Sequence, residues 1–140
     1  MSLSAADRLA ILDLITRADD AATRRDPDSY VDLFTDDAIL DGAEGTFHGR
    51  DALRRGVRTV WAGESAGTLH LTLNPYVDDD SDSPGTATAH STLLLLGIDR
   101  PGQTIATAAV TQRVRRDHER WLIARRSVLP LLNEETLHGR

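Results

Sequence analysis

Between Ala5 and Arg25 the apolar residues Leu9, Ile11, Leu12, Ile15, Ala18 and Ala22 recur at helical spacing. The pattern predicts a long first helix. Ser4 stands where an N-cap belongs, and Asp7 falls in the first turn, where the helix dipole favours an acid. Asp26-Pro27-Asp28 ends the helix, because the residue before a proline avoids the helical region. Pro27 then suits the first turn of a short second helix reaching about Phe34. Ala38 to Leu40 and Thr46 to His48 are predicted as two short strands around the turn Asp41 to Gly45. A third helix is predicted from about Arg50 to Gly63, with Leu53, Val57, Val60 and Trp61 as its inner stripe.

After Gly67 the apolar period shortens to two. Strands are predicted over Thr68 to Val77, Thr86 to Ile98, Gln103 to Arg116 and Arg120 to Leu129. The connections are an acidic loop from Asp78 to Gly85, a turn at Arg100-Pro101-Gly102 and a tight turn at Asp117-His118-Glu119. Pro130 is expected to stop the last strand, and the tail from about Asn133 is polar. Three helices interleaved with a hairpin and followed by an antiparallel meander make an α+β chain. Its 140 residues fit one domain.

Composition narrows the chemistry. All 16 basic residues are arginines, and there is no lysine and no cysteine. Schiff-base catalysis, a phosphate-loop lysine, disulfides, thiolate metal sites and a cysteine nucleophile are therefore excluded. The net charge of −6 argues against nucleic-acid or anionic-membrane partners. The N-terminus lacks the basic start and apolar run of a signal peptide, and the longest apolar run, Leu93 to Leu96, is far too short for a membrane span. A cytoplasmic location is the default expectation.

Asp19 is the first candidate for chemistry. With Ile15 at the centre of the first helix's stripe, Asp19 lies about 40° from that centre and Asp20 about 140°. An inward carboxylate needs a partner. It fits a partly exposed acid at the stripe's edge, a structural pair with an arginine, or a pocket acid/base with a raised pKa. Strand alternation puts His70, Thr72, Asn74 and Tyr76 on one face. Thr86, Thr88, His90 and Thr92 share a face of the next strand, and an even register would set His90 near Thr72. Such a face suits either a solvated outer surface or the lining of a polar-ligand cavity. Histidine is the side chain best suited to proton transfer near neutral pH. Of Arg125 and Arg126, which alternate, one must point inward unless both faces are partly wet, and an inward arginine would pair with an acid such as Asp19 or with a ligand oxygen. The histidines show no helical metal-ligand spacing, so no metal is expected. No nucleotide-binding glycine loop and no nucleophile elbow are present.

The order of elements and several strings together resemble the SnoaL-like branch of the nuclear transport factor 2-like superfamily. The strings are Arg25-Asp26-Pro27-Asp28-Ser29-Tyr30, Leu33-Phe34-Thr35-Asp36-Asp37-Ala38, Phe47-His48-Gly49-Arg50-Asp51-Ala52-Leu53, His70-Leu71-Thr72-Leu73-Asn74 and Trp121-Leu122-Ile123-Ala124-Arg125-Arg126. They run at family-like spacing over roughly Ser4 to Leu129. The resemblance implies a cone, in which a curved antiparallel sheet wraps the long first helix and encloses an apolar pocket. It also implies a homodimer through the outer sheet face, and enzymes that commonly use no cofactor. His70 matches the pocket histidine of scytalone dehydratase-like members. Their Tyr-Asp pair late in the first helix falls on Ala22 and Thr23, and Asp19, one turn earlier on the same face, could substitute. The tyrosine and aspartate of ketosteroid isomerase fall on Ala18 and Gly42.

Two functions follow as expectations. One is a cofactor-independent dehydratase, cyclase or isomerase acting on a small, mostly apolar, oxygenated, polyketide-like molecule. His70 and Asp19 would carry the proton transfers, and Tyr30, Trp61, Asn74, His90 and Arg126 would contact substrate. The other is a non-catalytic binding or dimeric assembly domain.

Overall fold

The computed structural model describes residues 3–79, 83–99 and 103–132. The tail from Asn133, the turn at Arg100-Pro101-Gly102 and the centre of the acidic loop lie outside the described residues. The elements are α1 (Ala5–Thr23), α2 (Pro27–Val31), β1 (Phe34–Gly42), β2 (Gly45–His48), α3 (Arg50–Ala62), β3 (Thr68–Asp79), β4 (Thr86–Gly97), β5 (Gln103–Asp117) and β6 (Arg120–Leu132). One curved six-stranded sheet, in the order β2-β1-β6-β5-β4-β3, wraps α1. The α+β cone expected from the sequence is the observed architecture.

Local chemistry sets the helix ends. The Ser4 hydroxyl accepts from the Asp7 backbone N–H at 3.0 Å while the Asp7 carboxylate accepts from the Ser4 N–H, which is a capping box. At the other end Arg25 turns the chain with φ +56°, and Asp26 caps α2 by accepting from the Ser29 N–H at 3.1 Å. The inward stripe of α1, with Ile11, Ile15 and Ala18 fully buried, meets Phe34, Leu53 and Ile123 beneath the sheet. Burying a side chain the size of Phe34 contributes roughly 1.5–3 kcal/mol.

Two strands depart from the pattern read along the chain. β1 begins at Phe34, well before Ala38, because it pairs in parallel with β6, opposite Ile123. Such a partner lies far away in sequence and leaves no local signal. β6 also continues through Pro130 to Leu132. Its pairing with β1 ends at Asp41 opposite Ser127, so beyond that point one side of β6 has no partner strand among the described residues, and a proline is tolerated there. Among the described residues, no helix is long and apolar enough to cross a membrane.

Candidate active site

A cavity of about 410 Å³ opens between α3, the β1–β2 hairpin and the inner face of the sheet. Its walls are mainly apolar, with Leu40, Phe47, Val57, Trp61, Leu93 and Val128 among them. The polar groups in the lining include Tyr30, Glu64, His70 and Arg126. Its size and mix of walls are those of a small-molecule site.

His70 reaches the cavity because β3 turns Thr68, His70 and Thr72 inward. Its backbone is held by Thr23, whose hydroxyl accepts from the His70 N–H at 2.8 Å and donates to the His70 carbonyl at 3.3 Å. Its ring Nε2 lies 2.8 Å from Glu64 Oε1, and both side chains are largely buried. Arg25 Nη2 stands 3.4 Å from the same carboxylate oxygen. Arg25 also donates to the carbonyls of Ala22 at 2.9 Å and Ser65 at 2.8 Å, so it ties the end of α1 to the segment carrying Glu64. A carboxylate facing Nε2 selects the tautomer with its proton there and leaves the Nδ1 lone pair available.

A second buried network lies deeper. Asp19 accepts from Arg126 Nη2 at 2.8 Å and from the Thr72 hydroxyl. Asp19 is 2% exposed and Arg126 4%. Arg126 Nη1 donates to Gln112 Oε1 at 3.4 Å, and Gln112 sits directly opposite Arg126 on β5. Burial works against the Arg126 charge, but Tyr30 and Asp19 more than offset it, so its pKa stands above the ordinary arginine value. Burial pushes the Tyr30 phenol above its usual value; Arg126 opposes that rise and Asp19 adds to it. Both groups therefore keep their protons at neutral pH and can donate hydrogen bonds. Trp61 meets Tyr30 edge-on, with ring centroids 5.2 Å apart, which steadies the phenol at the cavity wall.

The structure redistributes the residues singled out in the sequence. His70, Tyr30, Trp61 and Arg126 all line the cavity. Asp19 is inward, as its helix angle requires, but it is spent on Arg126 and Thr72 and does not line the cavity. The acid beside His70 is Glu64. Asn74 is exposed, in a bulge between Leu73 and Tyr76 where its φ is +50°. That bulge ends the alternation running from His70 and turns Tyr76 to the outer face, where the alternation of β4 already holds its cross-strand partner His90. There the two rings stack at 4.7 Å, and His90 Nε2 pairs with Asp78 at 3.0 Å. Thr72 stands opposite Leu93 instead of near His90. A second irregularity, the extra residue Ala124 on β6 between the pairs Arg113–Arg125 and Val114–Ile123, brings Arg126 onto the inner face shared with Ile123. Arg125 points outward to Asp41 at 2.8 Å.

Sequence reading missed Glu64 and Gln112. Glu64 is the only acid between Asp51 and Asp78, six residues before His70, but it lies in a stretch with no period. Gln112 had a signal. It interrupts the alternation of Ala108, Val110 and Val114 with one amide at an inward position. Among the described residues no three acids or histidines converge as a metal-binding group.

Comparison with known proteins agrees with this architecture. A protein of unknown function with a cystatin-like fold from Nostoc punctiforme is 25% identical, with a TM-score of 0.85 over 93% of this chain and 95% of that one. LinA is 22% identical, with a TM-score of 0.79 over 91% of this chain and 87% of its own. A provisionally named scytalone dehydratase from Novosphingobium aromaticivorans is 19% identical, with a TM-score of 0.73 over 89% of this chain and 83% of its own. No curated protein matches the sequence. The family model for the SnoaL-like domain matches residues 4–127. The chain therefore belongs to the SnoaL-like domain family.

Proposed function

We propose that the protein is an acid–base enzyme acting on a small, uncharged, mostly apolar ring compound that carries a carbonyl. The observation that carries this reading is the Glu64–His70 pair at 2.8 Å in the wall of an otherwise apolar cavity. Glu64 orients the ring, and Nδ1 takes a proton from the carbon beside the carbonyl. Tyr30 and Arg126, both protonated, donate to the oxygen as it gains charge. Where a hydroxyl stands on the next carbon, the protonated His70 returns the proton to it and water leaves. A C–H and a C–O bond break, a C=C bond forms, and the histidine ends neutral. Without that hydroxyl, return of the proton elsewhere gives isomerisation. The SnoaL-like membership and the neighbour named for scytalone dehydratase support a reaction of this kind.

Charge supports the uncharged substrate. Arg126 is committed to Asp19, and Arg25 stands against Glu64. A carboxylate or phosphate entering the cavity would compete with acids already in place.

The test is hydrogen exchange at the α-carbons of 2-tetralone in D2O, followed by NMR. The wild-type protein is expected to accelerate exchange well above buffer, and the His70→Ala variant to lose the acceleration. Equal rates for the two proteins would refute the assignment of His70. Binding of 2-tetralone with no acceleration by either would favour the non-catalytic binding domain.

We also propose a homodimer through the outer sheet face. Leu73 on β3 and Leu129 on β6 are exposed there, at 39% and 67%. Leaving such apolar side chains in water is unfavourable, and a second copy would cover them. Sedimentation equilibrium is expected to give twice the chain mass, with Leu129→Glu shifting it toward the monomer. A wild-type monomer would overturn the proposal.

A further inference from the structure

The cavity ends at a wall built from one ring and one missing side chain. Phe47 on β2 lines the cavity on one side and, on the other, an outer groove of about 490 Å³ against α3. The groove is floored by Ala52, Gly56 and Val60 and rimmed by Glu44, Arg55 and Thr59. Gly56 lies in the middle of α3, where glycine costs about 1 kcal/mol relative to alanine. Its use there has a steric reason. A Cβ at Gly56 would sit 2.7 Å from Phe47 Cε1 and 2.8 Å from Cδ1 and Cζ of the same ring. The bare helix backbone is the seat of the ring.

β2 itself is lightly held. It is an edge strand with four register pairs to β1, bounded by Gly45 at φ +132° and Gly49 at φ +85°. Besides that short ladder and the Thr46 hydroxyl, which donates to Asp41 Oδ1 at 3.1 Å, Phe47 is kept between the two spaces by its contact with α3. The groove beyond is apolar along its floor and polar at its rim, so it suits an extra ring or short chain ending in a hydroxyl or carbonyl.

We propose that Phe47, seated on Gly56, is the specificity-determining end wall of the pocket. It confines the ligand to the inner cavity, and its removal joins that cavity to the outer groove. The inference rests on the reading of the cavity as a ligand site given above. It adds which residues set the length of the ligand.

The experiment compares two uncharged ketones with the same head, 2-tetralone and 6-phenyl-2-tetralone, by isothermal titration calorimetry. The wild-type protein is expected to bind the shorter ketone at least about tenfold more tightly, the scale of discrimination a tight apolar wall supplies. In Phe47→Ala the preference is expected to reverse. Phe47→Leu keeps an apolar side chain on β2 in case the alanine variant fails to fold, and its ratio should fall between the two. Gly56→Ala, which displaces the ring, should weaken 2-tetralone binding. A wild-type protein that binds 2-tetralone, with an affinity ratio unchanged in both Phe47 variants, would overturn the end wall alone. A folded wild-type protein that binds neither ketone would overturn the ligand-site reading, and the end wall with it.

Discussion

Replacing Asp19 by asparagine is expected to lower the unfolding free energy by about 3–5 kcal/mol, the cost of breaking a buried ion pair from one side. The variant is nearly isosteric, so little packing is lost. What changes is charge. Arg126 is 4% exposed, and a guanidinium keeps its proton in proteins, so it stays charged with no carboxylate to face. Its other side-chain partner, Gln112 Oε1 at 3.4 Å, is neutral and distant. The melting temperature should fall by roughly 10 °C for a domain of this size. Removing both charges, as in Asp19→Leu with Arg126→Met, should recover much of the loss, because well-packed apolar residues often replace buried pairs without penalty. Urea denaturation of the three variants checks this. A loss below about 1 kcal/mol in Asp19→Asn would mean that water reaches Arg126, contrary to its burial.

Glu64→Gln is expected to reduce the exchange of 2-tetralone by about 10²-fold, and His70→Ala by about 10²–10⁴-fold, the usual range for a positioned acid–base group. The glutamine preserves the shape of the wall but no longer stabilises the imidazolium that forms when Nδ1 takes the proton. The loss should therefore fall on kcat, with KM unchanged within about twofold. This split separates a positioning role from a structural one, since a distorted cavity would raise KM as well. The Glu64 carboxylate is largely buried and shared between His70 and Arg25, so the urea midpoint of the variant should be recorded alongside. An unchanged kcat would remove Glu64 from the mechanism.

Much of the fold was legible because it is written in local periods. The helical stripe of α1, the Ser4 cap, the Pro27 start of α2 and the alternation of the four long strands all depend on near neighbours in the chain. His70 was legible for the same reason, as a histidine on the inward alternation of β3. Its partner was not. Asp19 and Glu64 are both acids within reach of that face, but helix angle reports only that Asp19 turns inward, not what it meets.

Long-range pairing settled the rest. The β1–β6 ladder extended β1 back to Phe34 and let β6 run through Pro130. The bulge at Asn74 moved Tyr76 to the outer face, since one added residue exchanges the two faces of a strand, and the register that sets Thr72 opposite Leu93 put His90 there too. The irregularity between β5 and β6 brought Arg126 inward, where it took Asp19. The sequence by itself determined the elements, the α+β order and the polar residue types available for chemistry, because these follow from composition and local period. Only the tertiary structure decided that Glu64 faces His70 and Asp19 faces Arg126. Asp19 meets Arg126 across 107 positions, through strand registers closed late in the chain, whereas Glu64 stands only six residues before His70 but in an aperiodic connection that Arg25 at the end of α1 holds in place.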